Sequence, residues 1–346
     1  MTSSTPVRLG LIGCGRIAQV AHLPAIEKTG QVELTMVCDG NEYTANAVAR
    51  RYGVPAATTD SAEVFASPDV DAVLIAVPDR FHESLVSQAL AAGKHVLIEK
   101  PLAATVEECE RLVAAAAESG LVLQVGAMKR HDLGLRWAKD FVRDTMGQVR
   151  SFHAWYRIGD LRPGIEHSLF PLVHSDPNVV AKEAGFKADR QKYLLATHGS
   201  HVFDTVLNLL GDVTRVVAKH RGFGRNQMWS IVFEMANGSI GTIDLTVDVP
   251  GEPDEGIQVF GEHGWVRVDI PFPFYKKPSA VQAYHDGSVV SPSLTLGDAY
   301  ELQVDDFAAA VRGEGETFPD ATDGLTAVRL IAAVAEAVET DREVTL

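Results

Sequence analysis

Positive charge is scarce in this sequence: 31 Lys and Arg stand against 46 Asp and Glu, leaving a formal net charge of −15. A surface that holds nucleic acid or anionic lipid releases counterions from a basic face, so this balance disfavours both as general partners. Cysteine is scarcer still. Cys14, Cys38 and Cys109 cannot all pair, and none has the C-x-x-C spacing of a metal site. They fit small core residues in a reducing cytoplasm. No apolar run approaches the roughly 20 residues needed to cross a bilayer, and the Met1–Pro6 leader lacks the charged and apolar parts of a signal peptide. The expected location is therefore cytoplasmic. Internal repeats and low-complexity tracts are also missing.

What remains is ordinary globular composition, 46% hydrophobic and 22% charged, over 346 residues, which is long enough for two domains. The chain is organised around its start. The apolar run Val7–Ile12 enters Gly13-Cys14-Gly15-Arg16-Ile17-Ala18, a G-x-G-x-x-A turn ahead of a helix. Gly13 permits the tight strand exit, Gly15 lets the backbone approach a pyrophosphate, and Ala18 keeps helix and strand close. A second strand, Val32–Cys38, delivers Asp39 about 20 residues later, where a carboxylate accepts both ribose hydroxyls of an adenosine. With no Arg directly after Asp39, a 2′-phosphate would be repelled, so NAD is preferred over NADP. The competing reading is a glycine turn before an ordinary surface Asp.

From Val7 to Met128 short apolar strands alternate with helical stretches, six strands in all, predicting a Rossmann doubly wound parallel sheet over residues 1–128. The strand ending at Pro78 and the one running from His95 to Pro101 fall fourth and fifth, and Thr105-Val106-Glu107-Glu108 reads as a capping box. Residues 129–346 change texture. Longer period-two runs at Val149–Ile158, Val213–Arg221, Trp229–Ala236, Ser239–Val249, Ile257–Phe260 and Trp265–Ile270 predict an α+β domain with a large, mostly antiparallel open sheet. Asn237-Gly238 carries the signal of a type I′ hairpin. Helices are expected over Leu194–Leu210, Ala299–Arg312 and Leu325–Glu339. One sheet face would lie on helices, and the other would be available to a second subunit, as a homodimer or homotetramer.

The turn, Asp39, Pro78 with His82, Glu99-Lys100-Pro101, and the stretch Thr197-His198-Gly199-Ser200-His201-Val202-Phe203-Asp204 together resemble the glucose–fructose oxidoreductase, inositol dehydrogenase and rhizopine-catabolism family (Gfo/Idh/MocA). The resemblance spans essentially the whole chain. It implies an NAD-dependent dehydrogenase acting on a CH–OH group of a carbohydrate or polyol. Cofactor contacts are then expected from Gly13, Cys14, Gly15, Arg16, Ile17, Ala18, Asp39, Pro78, His82, Glu99 and Lys100. Lys100 and His201 are the expected catalytic pair, contributed by separate domains. An ammonium near the reacting oxygen stabilises a developing alkoxide, and an imidazole titrates where it can take the hydroxyl proton as hydride leaves. Lys129, Arg130, Tyr156, Arg162, Thr197 and His198 join Lys100 and His201 as substrate-contact candidates, Trp155 and Tyr193 being further aromatics of the same region.

Alternatives stand beside these readings. Glu99 and Lys100 could be a solvated pair, and His201 a histidine satisfied within a domain contact. His198, His201 and Asp204 could be read as metal ligands, but H-x-x-H-x-x-D lacks the i, i+4 pairing of catalytic zinc helices, so no metal is expected. The basic residues between Arg157 and Tyr193 could form a specificity loop or a solvated one. Relatives place an aspartate where this chain has Thr197. A hydroxyl still hydrogen-bonds substrate, yet it supplies no negative charge. That departure keeps NAD-dependent glycoside cleavage through transient oxidation, elimination and re-reduction open, and because a fold does not fix a function, non-catalytic nucleotide sensing stands as a further alternative.

Overall fold

The computed structural model describes residues 5–159 and 189–346. No helix among them is long and apolar enough to cross a membrane. They fall into two compact units.

The first unit comprises the described residues up to Ala127 together with Tyr300–Val328. Strands β1 (Val7–Ile12), β2 (Val32–Cys38), β3 (Ala56–Thr58), β4 (Ala72–Ile75), β5 (His95–Glu99) and β6 (Leu123–Gly126) pair in the order β3-β2-β1-β4-β5-β6, parallel throughout. This is the expected doubly wound sheet, with the strand order reversing between β1 and β4. Alternate residues serve two helical layers. Leu9, Leu11, Leu74 and Leu97 pack with Leu23 and Ile26 of α1 (Leu23–Lys28) and with Val48 of α2 (Glu42–Tyr52). Val73, Ile75, Val96 and Ile98 pack with α3 (Ser61–Ala66), α4 (His82–Ala91) and α5 (Val106–Ser119). Each such side chain contributes about 1.5–3 kcal/mol when fully withdrawn from water.

The helix ends follow their sequence signals. Asn41 accepts from the Thr44 amide, and Thr105 and Glu108 complete the capping box. Caps of this kind are worth about 1 kcal/mol each.

In the second unit, α6 (Leu133–Asp144), β7 (Val149–Ile158), α7 (Arg190–Leu194) and α8 (Ser200–Leu210) precede the remaining strands. These are β8 (Val213–Phe223), β9 (Asn226–Met235), β10 (Ile240–Val247), β11 (Asp254–Gly261), β12 (Gly264–Ile270), β13 (Ala280–His285), β14 (Ser288–Val290) and, near the C-terminus, β15 (Val344–Thr345). The sheet order is β14-β13-β12-β11-β7-β10-β9-β8-β15, antiparallel except for the β7–β10 pair. One face buries Phe152, Ala154, Phe233, Ile243, Leu245, Ile257 and Val259, with α6 and α8 against the sheet. The opposite face is open. α9 (Ala299–Val311) places Val304, Phe307 and Ala308 in the first unit's core, and Leu325 and Val328 of α10 (Ala321–Thr340) join that unit as well.

Two local expectations differ from what forms. The Asn237-Gly238 hairpin is not a two-residue type I′ turn. Gly238 alone takes positive φ (84°), its N–H donates to Met235 O, and Met235 N–H donates to Ser239 O, giving a three-residue loop. Asn237 instead accepts from the Ser239 amide and hydroxyl and donates to Leu210 O, which holds it outside the left-handed region. The single helix expected over Leu194–Leu210 is interrupted by a wider π turn at Leu195–Gly199.

Candidate active site

In the first unit, Gly13 N–H donates to Cys38 O (2.8 Å) with φ at +94°, and a Cβ there would stand 2.3 Å from Ala76 O. Three strands converge at that point, so only glycine fits. Gly15 faces open space, leaving its backbone approachable. Asp39 Oδ2 accepts from the Cys14 amide (2.8 Å), and Oδ1 accepts from the Asn41 amide (2.8 Å). The carboxylate therefore clamps the turn and retains lone pairs for a ribose. Arg16 is exposed, Ile17 half-buried and Ala18 fully buried, where helical turns run from residue 16 to Lys28 and widen into a π turn at Ala18–His22. Burial pushes both nearby thiols up, Cys38 to about 11 and Cys14 further, with the Asp39 charge adding to each.

At the carboxyl ends of β4 and β5, half-buried Pro78 precedes a 3-10 turn at Asp79–Phe81. The buried His82 ring spans Val77 O (2.9 Å) and Pro101 O (2.8 Å), joining the two strand ends. Glu99 is not half of a solvated pair. It is buried, accepts from the Lys100 amide (3.1 Å), and lies 2.7 Å from Nε2 of His22, a residue 1% exposed. Burial works to raise the Glu99 carboxyl, but the His22 hydrogen bond and the fields of His22, Lys100 and His82 outweigh it and hold it below the usual range. Lys100 itself is half-buried and enters a cis peptide bond with Pro101.

In the second unit, Tyr156 gathers the histidines. Its hydroxyl is 3.2 Å from His198 Nδ1, and its ring lies parallel to that of His201, 2° apart with centroids at 5.9 Å. A π turn stands at Leu195–Gly199, and the pair meeting on Tyr156 is His198 with His201. Arg130, 4% exposed, pairs through Nε (3.0 Å) and Nη2 (2.9 Å) with Asp204 Oδ1, and His131 is fully buried beside Arg136. Lys129 is also buried, with Nζ within 2.6 Å of a Glu255 oxygen. Trp155 does not share the sheet face of Tyr156: strand alternation turns it to the opposite one, against Asp254 and Arg267. Arg190 pairs with Asp248 and Lys192 with Glu339. Arg162 lies outside the described residues, as do His167, His174, Lys182 and Lys187.

Residues 7–127 match the oxidoreductase family's NAD-binding Rossmann fold, and residues 191–346 match that family's C-terminal alpha/beta domain. The chain belongs to this Gfo/Idh/MocA oxidoreductase family. Inositol 2-dehydrogenase 3 of Saccharopolyspora erythraea is 30% identical over 349 residues, covering 98% of this chain and 95% of that protein. Among solved structures, levoglucosan dehydrogenase in complex with NADH and L-sorbose superimposes with a TM-score of 0.80 at 19% identity, covering 99% of each chain. The aldose–aldose oxidoreductase of Caulobacter crescentus, complexed with glycerol, gives 0.79 at 22% identity over 99% of this chain and 100% of that one.

As a family member, the protein presents residues that fit a dinucleotide. The bare Gly15 backbone, the crevice where strand order reverses, and Asp39 at the end of β2 make a cradle that a larger side chain at 15 would fill. Two residues of the clusters gave no sequence signal of their role. His22 sits among the apolar residues of a helix start. Glu255, in Glu252-Pro253-Asp254-Glu255-Gly256, looks like part of a turn, whereas β11 begins at Asp254.

Proposed function

We propose that the protein is an NAD-dependent dehydrogenase that oxidises a secondary hydroxyl of a sugar, glycoside or cyclitol. The observation that carries this reading is Glu99, buried and bonded on both sides, which fixes the backbone of Lys100 at the carboxyl edge of the parallel sheet. That edge is where doubly wound sheets bind their ligands. Bound NAD would supply the hydride acceptor. Lys100 polarises the substrate oxygen, and His201 takes its proton, with His198 and Thr197 as hydrogen-bonding partners of the polyol. The names of the relatives, an inositol dehydrogenase and a levoglucosan dehydrogenase, support a polyhydroxylated substrate. Asp39 supports NAD over NADP, because a 2′-phosphate would meet its negative charge.

The test is an NAD-reduction screen over hexoses, glycosides, uronic acids and inositols, followed by Lys100→Ala and His201→Ala on whichever substrate turns over. Loss of general acid–base or electrostatic assistance costs about 10²–10⁴ in kcat. Unchanged kcat in both variants would remove the assignment. Thr197, in place of a carboxylate, keeps glycoside cleavage open as a second reading. Aglycone release without net NADH would select it.

The open sheet face supports assembly with further copies of this chain, as a homodimer or homotetramer.

A further inference from the structure

β5 ends at Glu99, so the Lys100 amide is the first beyond the parallel ladder, and it takes a side-chain acceptor instead, Glu99 Oε2 at 3.1 Å. Leu97 and Glu99 project to the same side of the sheet, where Leu97 packs with Leu23 of α1 and with Val304 and Phe307 of α9. The cluster there is otherwise apolar, and an ionised carboxylate buried against it is costly unless it is hydrogen-bonded. The side chain that meets Glu99 is His22, which directly precedes α1 and brings Nε2 to 2.7 Å from Oε1. Tyr300 of α9 stands edge-on to the same ring, with centroids 5.4 Å apart and planes at 88°. On β6 the residue opposite Glu99 is Gly126, which brings no side chain. Nδ1 of His22 is buried with no hydrogen-bond partner among the described residues. An apolar residue at position 22 would avoid that cost, so what the histidine adds is its bond to Glu99.

We propose that His22 is a positioning residue for Lys100: by holding Glu99 Oε1 it keeps Oε2 on the Lys100 amide, and so fixes the direction in which Lys100 leaves the sheet. The sense of the His22 bond is set by its acceptor. Burial acts to raise the Glu99 carboxyl, but the His22 bond and the fields of His22, Lys100 and His82 hold it below the usual range. It is therefore ionised at neutral pH and has no proton to give, so the hydrogen belongs to His22 Nε2. Without His22, Oε1 would be a buried, unpaired oxygen, and the carboxylate would turn away or take up a proton. Either change ends its service as a fixed acceptor for Lys100. The role deepens the dehydrogenase reading above and rests on it for its purpose, since a fixed backbone at Lys100 gives its ammonium a fixed root beside a substrate oxygen.

The experiment is amide hydrogen exchange of the full-length protein, read by NMR at Lys100 and, as a reference within the same strand, at Ile98. His22→Leu is expected to speed exchange at Lys100 relative to Ile98 by roughly tenfold or more, the equilibrium factor of one hydrogen bond to a charged group. His22→Gln, whose amide nitrogen reaches the place of Nε2, is expected to restore most of the protection. His22→Leu leaves Glu99 buried and unpaired, so the double variant His22→Leu/Glu99→Met provides an apolar counterpart with the same expected loss at Lys100. Wild-type protection at Lys100 in either the single or the double variant overturns the inference. So does an equal loss at Ile98, or a folded His22→Gln that exchanges as fast as His22→Leu, since either would reduce His22 to packing. On the substrate found by the NAD-reduction screen, His22→Leu is expected to lower kcat by up to about a hundredfold, the cost of misplacing a catalytic group by about 1 Å, with little change in KM. An unchanged kcat also overturns the inference. Absence of NADH formation from every polyol would refute the dehydrogenase reading and leave the exchange result standing.

Discussion

Asp39 and Cys14 are tied by a 2.8 Å hydrogen bond from the Cys14 amide to Oδ2. The carboxylate proposed to read a ribose is therefore also the clamp on the glycine turn, so its removal should act twice on nucleotide affinity. Asp39→Ala is expected to weaken NAD binding by about 1.5–3 kcal/mol, the usual cost of losing hydrogen bonds to a charged group. Asp39→Asn keeps an oxygen for Cys14 and should lose less, while narrowing the discrimination against NADP. Calorimetric titration of both nucleotides checks this, and equal losses in the two variants would show that the clamp is irrelevant.

At Gly13 the constraint is steric. A methyl group would meet the Ala76 carbonyl at 2.3 Å with φ at +94°, and the obstacle is backbone rather than a movable side chain. Gly13→Ala is expected to lose at least about 1–3 kcal/mol of stability, the cost of a strained backbone position, and to abolish measurable NAD binding. Gly15→Ala faces open space and should fold normally while binding poorly. Thermal melts with and without NAD separate the two effects.

His22 and Glu99 form a buried pair whose contribution depends on pH. Because the folded Glu99 carboxyl is held below its ordinary value, its stabilisation is present above the unfolded value of about 4.3 and fades as pH falls through the lower folded value. Glu99→Gln is expected to be less stable than wild type at pH 7 by about 1.5–3 kcal/mol, the worth of a hydrogen bond to a charged group. The gap should begin to narrow as pH falls below about 4 and close once pH has passed below the lowered folded value, where the wild-type carboxyl is also neutral. Denaturant melts at pH 7 and pH 3.5 would contradict this if the difference stayed constant.

Much of this was legible in the sequence for a local reason. The parallel sheet follows from short apolar strands, the Gly53 and Gly120 helix ends from glycines that take positive φ, and the α5 cap from Thr105 and Glu108. What stayed hidden depends on partners distant in the chain. Glu255 becomes a buried residue only when β11 pairs with β7, and His22 gains its purpose from Glu99, far along the chain. The π turns at Ala18–His22 and Leu195–Gly199 left no periodicity signal, since each is a single widened turn.

The cysteines lie where a redox role could be imagined, and the local chemistry opposes it. With Cys38 at about 11 and Cys14 pushed higher, roughly one Cys38 in a thousand would be thiolate at pH 8. All three thiols are buried. Native protein is expected to react negligibly with a thiol-specific disulfide reagent at pH 8 over minutes, and to titrate three thiols once unfolded. Rapid native reaction of even one equivalent would contradict the burial.

On the open face of the second unit, cross-strand pairing lines up Ile240, Phe260, Trp265, Tyr284 and Val289, with Ser151 between the first two. Ile240 is 49% and Val289 60% exposed, so the row is apolar and bare, with no helix among the described residues covering it. A two-fold pairing of this face would bring each residue of the row into the interface twice, and any charge introduced there would meet its own copy or apolar surface. Ile240→Glu/Phe260→Glu is therefore expected to leave the fold and NAD binding intact while lowering the affinity between copies by at least about thirtyfold, two disrupted anchors at 1–3 kcal/mol each. Light scattering at micromolar concentration reads the outcome directly. A wild-type protein that is already monomeric, or a variant that keeps the wild-type mass, would assign the row to something other than self-association.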